Sequence, residues 1–218
     1  MKGLLIKDYC LLKSQKQFLM MVFIICMAFL IIYKDPSFVV AYMMVLFSFL
    51  TLSTLSYDEF DNGMSFMFTL PVSRSIYVKE KYLLSLLTTF CTMCITTLLM
   101  VAAYILRGTT ANLGNLPGVL TSSTLIVILM LSVSIPLQLK FGSDKSRVAL
   151  LLAYGGVFLI GYLAVMLGKA AGIDVNGLVN KILALSPVFL IAGGCLLCVP
   201  ILLLSYCASI RIMNKRQF

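Results

Sequence analysis

The sequence contains no histidine. Its absence removes Ser–His and Cys–His nucleophile designs and histidine-ligated metal centres. Charge is scarce too: only 11% of the 218 residues are charged, against about 25% in a soluble domain. No carboxylate pair falls inside an apolar run, so the usual acid–base couple is missing as well. No G-x-x-x-x-G-K-[ST] phosphate loop occurs, so the chain carries no ATP site of its own. Covalent catalysis is not expected. The interiors of the apolar runs also lack Asp, Glu, Lys and Arg. Ion pumps, proton-coupled carriers and voltage sensors keep such groups within the membrane, so those classes are disfavoured.

What remains is overwhelmingly apolar: 61% of residues are hydrophobic and the mean hydropathy is +1.05. Six runs approach the length of about 20 residues that a bilayer-crossing helix needs: Phe18–Tyr33, Phe38–Ser56, Tyr82–Leu106, Pro117–Leu137, Val148–Gly168 and Val188–Ala208. Short alternating segments, the mark of a membrane β-barrel, are absent. The expected fold class is therefore an all-α membrane protein, a single domain over residues 1–218, because lipid offers no partner to unpaired backbone groups. With the N-terminus placed in the cytoplasm, thirteen of the 17 Lys and Arg residues fall on inner segments and four (Lys34, Arg107, Lys169, Lys181) on outer ones. That bias puts both termini inside, and the net charge of +9 reads as a topology signal. No basic stripe interleaves with aromatics, so a nucleic-acid partner is not indicated. No A-x-A-like site follows the first run, so it is expected to be retained as a helix of a cell-membrane protein.

Residues 1–17 read as an interfacial helix, with Leu4, Leu5, Leu11 and Leu12 on one broad face. Asp8 falls within that apolar arc, which is anomalous; an unstructured flank of the first span is the alternative. Lys34-Asp35-Pro36-Ser37 forms a short outer turn, and Arg107–Leu116 an outer loop. Leu178, Val179, Ile182 and Leu185 recur at helical spacing between Asp174 and Ser186, predicting a short outer helix between the fifth and sixth spans. Pro200 is expected to kink the sixth span and Pro136 to end or bend the fourth. Gly155, Gly156 and Gly161, with Gly168 and Gly172, permit close helix approach within one subunit.

Seven cysteines are present and none lies in an outer loop, so no disulfide framework is indicated. Cys91-x-x-Cys94 and Cys195-x-x-Cys198 lie in apolar runs without histidine or charge nearby; they read as small packing residues, with no metal site. Thr88, Thr92 and Thr96 form an i, i+4 stripe in the third span. Two readings stand side by side: a polar stripe facing a pathway or a dimer seam, or hydroxyls bonded to carbonyls one turn back.

The longest polar stretch joins the second and third spans, from Tyr57 to Lys81. It holds four acidic residues (Asp58, Glu59, Asp61, Glu80) and three basic ones, which runs against the inner-loop charge rule and suits a basic protein partner better than an anionic bilayer. Asp61 or Asn62 is placed to cap a short helix from Gly63 to about Thr69, exposing Met64, Phe66, Met67 and Phe68. Pro71 breaks it, and Ser73 starts the next helix. Such a knob fits a partner's groove; the plainer alternative is that its apolar residues lie in the membrane interface.

Leu70-Pro71-Val72-Ser73-Arg74, followed by Val78 and by Lys81-Tyr82 at the head of the third span, resembles the corresponding segment of permease subunits of ABC-2-type transporters. The resemblance covers the chain in topology, and about 25 residues carry its sequence-specific part. It implies a cytoplasmic coupling helix that docks a separate ATP-binding subunit, with Asp61, Asn62, Met64, Phe66, Met67, Phe68, Leu70, Pro71, Ser73 and Arg74 as the docking segment. ATP and magnesium would sit on that partner. A second permease subunit, identical or homologous, would complete the assembly. The implied function is ATP-driven export of an amphipathic or hydrophobic substrate, peptide or lipid-like, because the spans hold no fixed charge to select an ion. The alternatives are a non-transporting immunity or scaffold protein that uses the same loop, and an ion-coupled carrier.

Overall fold

The computed structural model describes residues 2–33, 37–60, 63–107, 116–170 and 187–216. All regular structure among them is helical, as a sequence with uninterrupted apolar runs requires in a membrane. The elements are α1 (Lys2–Ser14), α2 (Lys16–Ile32), α3 (Ser37–Glu59), α4 (Gly63–Met67), α5 (Arg74–Leu106), α6 (Leu116–Ala170) and α7 (Pro187–Lys215). Four helices are long and apolar enough to cross a membrane: α3, α5, α7 and α6 up to Gly142. The bent pair α1–α2, with 60° between its halves, raises the number to five. The six-span expectation is thus met in part. At 17 residues, α2 is about 25 Å long at 1.5 Å per residue, short for a span. The expected outer helix between Asp174 and Ser186, and the turn at 34–36, lie outside the described residues.

α3 is the central mast. It packs along α6 on one side and α5 on the other, and α6 packs along α7. The main core gathers Met44 and Leu55 of α3, Tyr77, Val78 and Met100 of α5, Ile135 and Leu139 of α6, and Met213 of α7. A second cluster, Val22, Cys26 and Leu30 of α2 with Val39 and Met43 of α3, seats α2. Lipid tails are as apolar as these side chains, so burial alone drives helix association weakly, and polar bonds matter more than in a soluble core. Thr51 and Thr88 join α3 to α5 at 3.0 Å. Gln138 Nε2 donates to Leu52 O at 3.1 Å and Ser56 Oγ at 2.7 Å, tying α6 to α3. The Tyr82 hydroxyl meets Ser205 at 2.5 Å and Ser209 at 2.9 Å, tying α5 to α7. Ser205 in turn donates to Ser132 O at 2.5 Å in α6.

The break in α6 falls at Gly142, not at Pro136, and α7 continues through Pro200. Gly142 has φ +77° and ψ 174°, a conformation essentially reserved for glycine. Of the glycines that the sequence marked for close approach, two are open: a side chain at Gly155 or Gly156 would meet nothing within 4 Å, whereas one at Gly194 would stand 2.8 Å from Leu125 Cδ1. Close packing of α7 on α6 occurs there.

Candidate functional site

The sequence draws attention to the connection between α3 and α5, and its structure follows from local chemistry. α3 ends at Glu59 and α4 begins at Gly63. Gly63 lies against the end of α3, where an added Cβ would stand 2.9 Å from Asp58 O, so only glycine lets the chain turn so tightly. After α4, Phe68 N, Thr69 N and Leu70 N donate to Met64 O, Phe66 O and Met67 O. Val72 N then donates to Leu70 O at 2.6 Å, a γ-turn whose central residue is Pro71, with the ring fixing a compatible φ. Ser73 caps α5: its side chain accepts from Ile76 N at 3.3 Å, and its backbone is extended.

Of the four residues expected to be exposed on α4, only Phe66 stands well clear, 71% exposed. Met64 and Met67 are buried in the main core, and Phe68 packs edge-on against Tyr77 with ring centroids 5.9 Å apart. A five-residue helix with apolar groups on both sides has no sequence pattern that says which side faces in. Leu70 and Pro71 are exposed with Phe66. So is Phe60, 71% exposed, which the sequence reading passed over. Asp61 and Asn62 lie outside the described residues. Arg74 turns back instead of outward: its Nη1 donates to Met213 O at 3.2 Å and Asn214 O at 2.8 Å, capping the carbonyl end of α7 where a cation is favoured.

Beneath this connection sits a buried ionic cluster. Asp8, Glu80 and Lys81 are fully buried and Asp58 is nearly so. The Lys81 ammonium donates to Asp8 Oδ2 and lies 2.8 Å from Asp58 Oδ2. Lys7 donates to Asp58 Oδ1, and the Tyr77 hydroxyl donates to Asp58 Oδ2 at 3.0 Å. Lys81 also reaches Thr54 Oγ1 at 3.4 Å. Three helices therefore meet through charge: α1 by Lys7 and Asp8, α3 by Thr54 and Asp58, α5 by Tyr77, Glu80 and Lys81. Burial by itself would lower the pKa of Lys7; the hydrogen bond and charge of Asp58, then those of Asp8, outweigh it and hold Lys7 above the ordinary lysine value. Asp8 in the apolar arc of α1 is thereby explained: that arc faces protein, and Asp8 is its anchor.

A second tie closes the same end. Arg216 Nη1 donates to Glu59 Oε1 at 2.6 Å and to Leu139 O at 2.9 Å. Both groups flank Gly142, where an added Cβ would stand 3.5 Å from Glu59 Oε2. The threonine stripe lies inside this chain's own packing. Thr92 and Thr96 are buried, bonding to Thr88 O at 2.6 Å and Thr92 O at 2.9 Å, while Thr88 reaches Thr51. Cys91 and Cys94 are exposed on α5 and Cys198 is buried; the side chain of Cys195 lies outside the description.

Sequence reasoning missed the cluster because its members are far apart in the chain. The one available signal was the pairing of oddities: an acid inside the apolar arc of α1, and Glu80-Lys81 immediately before an apolar run. Comparison with known proteins completes the picture. The family model described as ABC-2 family transporter protein matches residues 3–214. No curated protein and no solved structure matches the chain.

Proposed function

The chain belongs to the ABC-2 transporter family, as a multi-pass membrane component of a transport system, and on that premise we propose that it is the membrane subunit of an ATP-driven exporter. In this reading the α3–α5 connection lies in the cytoplasm and docks a separate ATP-binding subunit, which supplies ATP and magnesium. A second permease subunit, identical or homologous, completes the complex. The observation that carries the reading is an exposed apolar tip, Phe66 with Leu70 and Pro71, on a connection tied into the bundle by buried charges and two arginines. A tip on a floppy loop would absorb a partner's movement; a tip rooted in α1, α3, α5 and α7 passes it on. Met64, Met67, Phe68, Ser73 and Arg74 then belong to the root of the docking segment, while Asp61 and Asn62 flank the tip in sequence. The cargo is amphipathic or hydrophobic, peptide or lipid-like, and the Thr88–Thr92–Thr96 stripe would offer it a weakly polar track once α3 and α5 part.

The test is co-purification with candidate ATP-binding subunits from the same genome, co-expressed with the chain. Phe66→Asp, at an exposed position, is expected to leave membrane insertion and melting midpoint unchanged while cutting recovery of the ATPase at least tenfold. Undiminished recovery with both Phe66→Asp and Leu70→Asp overturns the reading.

A further inference from the structure

The buried cluster at the root of the connection does not balance in charge. It brings together three carboxyl groups (Asp8, Asp58, Glu80) and two ammonium groups (Lys7, Lys81). The lysines and Tyr77 satisfy both oxygens of Asp58 and one of Asp8. Left over are Asp8 Oδ1 and both oxygens of Glu80, all buried and without a hydrogen-bond partner. Asp8 Oδ1 lies 3.2 Å from Lys7 Nζ, off the hydrogen-bonding direction. Glu80 Oε2 is 3.8 Å from Lys81 Nζ, beyond hydrogen-bond length. Glu80 and Asp8 converge on one cation: the Lys81 ammonium that binds Asp8 Oδ2 is the one Glu80 Oε2 approaches. Two carboxylates are both acceptors and cannot bond to one another; one carboxylate and one carboxylic acid can. A third buried negative charge facing only two positive ones, with no donor of its own, is neutralised in preference to being held.

We propose that Glu80 is a proton-binding site: it is a neutral carboxylic acid that donates to Asp8 Oδ1, and uptake of its proton from water allows α1 to seat against α3 and α5. With that proton the cluster holds two positive and two negative charges, and the orphaned Asp8 oxygen gains its donor. Without it, two carboxylates face each other in a dry pocket, and repulsion pushes Asp8 and the helix that carries it away from Lys81. The charged and polar groups of the cluster that holds Glu80 come from three elements: Lys7 and Asp8 of α1, Thr54 and Asp58 of α3, and Tyr77 and Lys81 of α5 itself. Glu80 precedes the apolar run that begins at Tyr82, so the site stands at the aqueous end of the bundle where protons exchange. The seating of α1 thus becomes a function of pH on that side. The inference concerns this chain's own fold and stands whether or not the chain exports anything.

The sign follows from linkage. The folded protein keeps a proton that the unfolded chain gives up near the ordinary glutamate pKa of about 4.3, so stability falls as pH rises from there until Glu80 ionises in the fold. Across that window the folded-to-unfolded ratio drops up to tenfold per pH unit on account of this one group. The experiment is a pH series of unfolding curves on the full-length chain in zwitterionic lipid nanodiscs, wild type against Glu80→Gln. Gln keeps a donor for Asp8 and cannot titrate, so its profile is expected to lack the Glu80 component. Parallel profiles overturn the proposal. Infrared spectroscopy of the wild-type protein supplies a readout that needs no variant: a protonated-carboxyl C=O band is expected at neutral pH, lost on raising the pH and absent in Glu80→Gln. A wild-type spectrum without that band at neutral pH overturns the proposal, even if Glu80→Gln fails to fold.

Discussion

The two ends of this bundle are held by different forces. At the end where α3 turns into α5, helices meet through ions and directed bonds: Lys81 between Asp8 and Asp58, Arg216 between Glu59 and Leu139 O, Arg74 on the last carbonyls of α7. At the opposite end, α2 and α3 meet through rings. Phe29 stands edge-on to Tyr33, Phe38 and Tyr42, with centroids 5.9, 6.4 and 5.6 Å away, and Phe38 stacks on Tyr42 at 6.1 Å. Arg107 Nη1 donates to Tyr33 O at 2.8 Å at that end. An apolar groove of about 410 Å³ opens between α5, α6 and α7, lined by Met93, Leu120, Thr124, Leu125 and Gly194. Directed bonds hold helices at fixed angles and break all at once; dispersion contacts slide. The contrast teaches where the molecule is stiff and where it yields.

The largest expected effect comes from removing the ion at the centre of the stiff end. Lys81→Met leaves Asp8 and Asp58 buried with too little positive charge, a change that costs about 3–5 kcal/mol when a buried pair loses one partner. Unfolding curves in detergent micelles should show it as a large fall in midpoint. A fall no larger than that of a ring deletion at the far end would erase the contrast. Gly142→Ala comes next. It forces a side chain into a backbone conformation that costs about 1–3 kcal/mol, while its Cβ makes only ordinary contact with Glu59 Oε2, so the same measurement should register an intermediate loss. Helical continuity at that position, had the residue been strain-free, would leave the curve unmoved. Phe29→Leu, at the yielding end, keeps an apolar side chain but gives up edge-to-face contacts worth about 0.5–1.5 kcal/mol beyond area burial, and should give the smallest shift of the three. A loss rivalling Lys81→Met would place the rigid end on the wrong side.

Part of this was legible in sequence and part was not, for physical reasons. Apolar runs announce helices because lipid permits little else, and Ser73 announces the start of α5 because a hydroxyl before an apolar run meets a free backbone N–H. The short helix after Asn62 and the break at Pro71 follow from equally local chemistry. The break in α6 at Gly142 falls between the fourth and fifth apolar runs, where the sequence places a connection; Pro136 removes one backbone donor, which a membrane helix tolerates among polar neighbours, and that Glu59 and Arg216 stand beside Gly142 is written nowhere near it in the chain. The inward turn of Met64, Met67 and Arg74 depends on what α7 and α6 present to them. The bond between Asp8 and Lys81 spans 73 positions, and no periodicity encodes a partner at that distance.

The single glycine in the middle of α6 has a geometric consequence. Everything after it is aimed by the dihedral angles of one residue, so its two halves are two rods on one swivel. Each residue advances a helix by about 100° of rotation. Slipping one extra alanine in just past the swivel would wheel the farther rod by more than a quarter turn, carrying Tyr154, which now donates to Met130 O at 2.8 Å, off the nearer rod. The chain would gain one small apolar residue, keep both its helices, and lose the face by which they recognise each other.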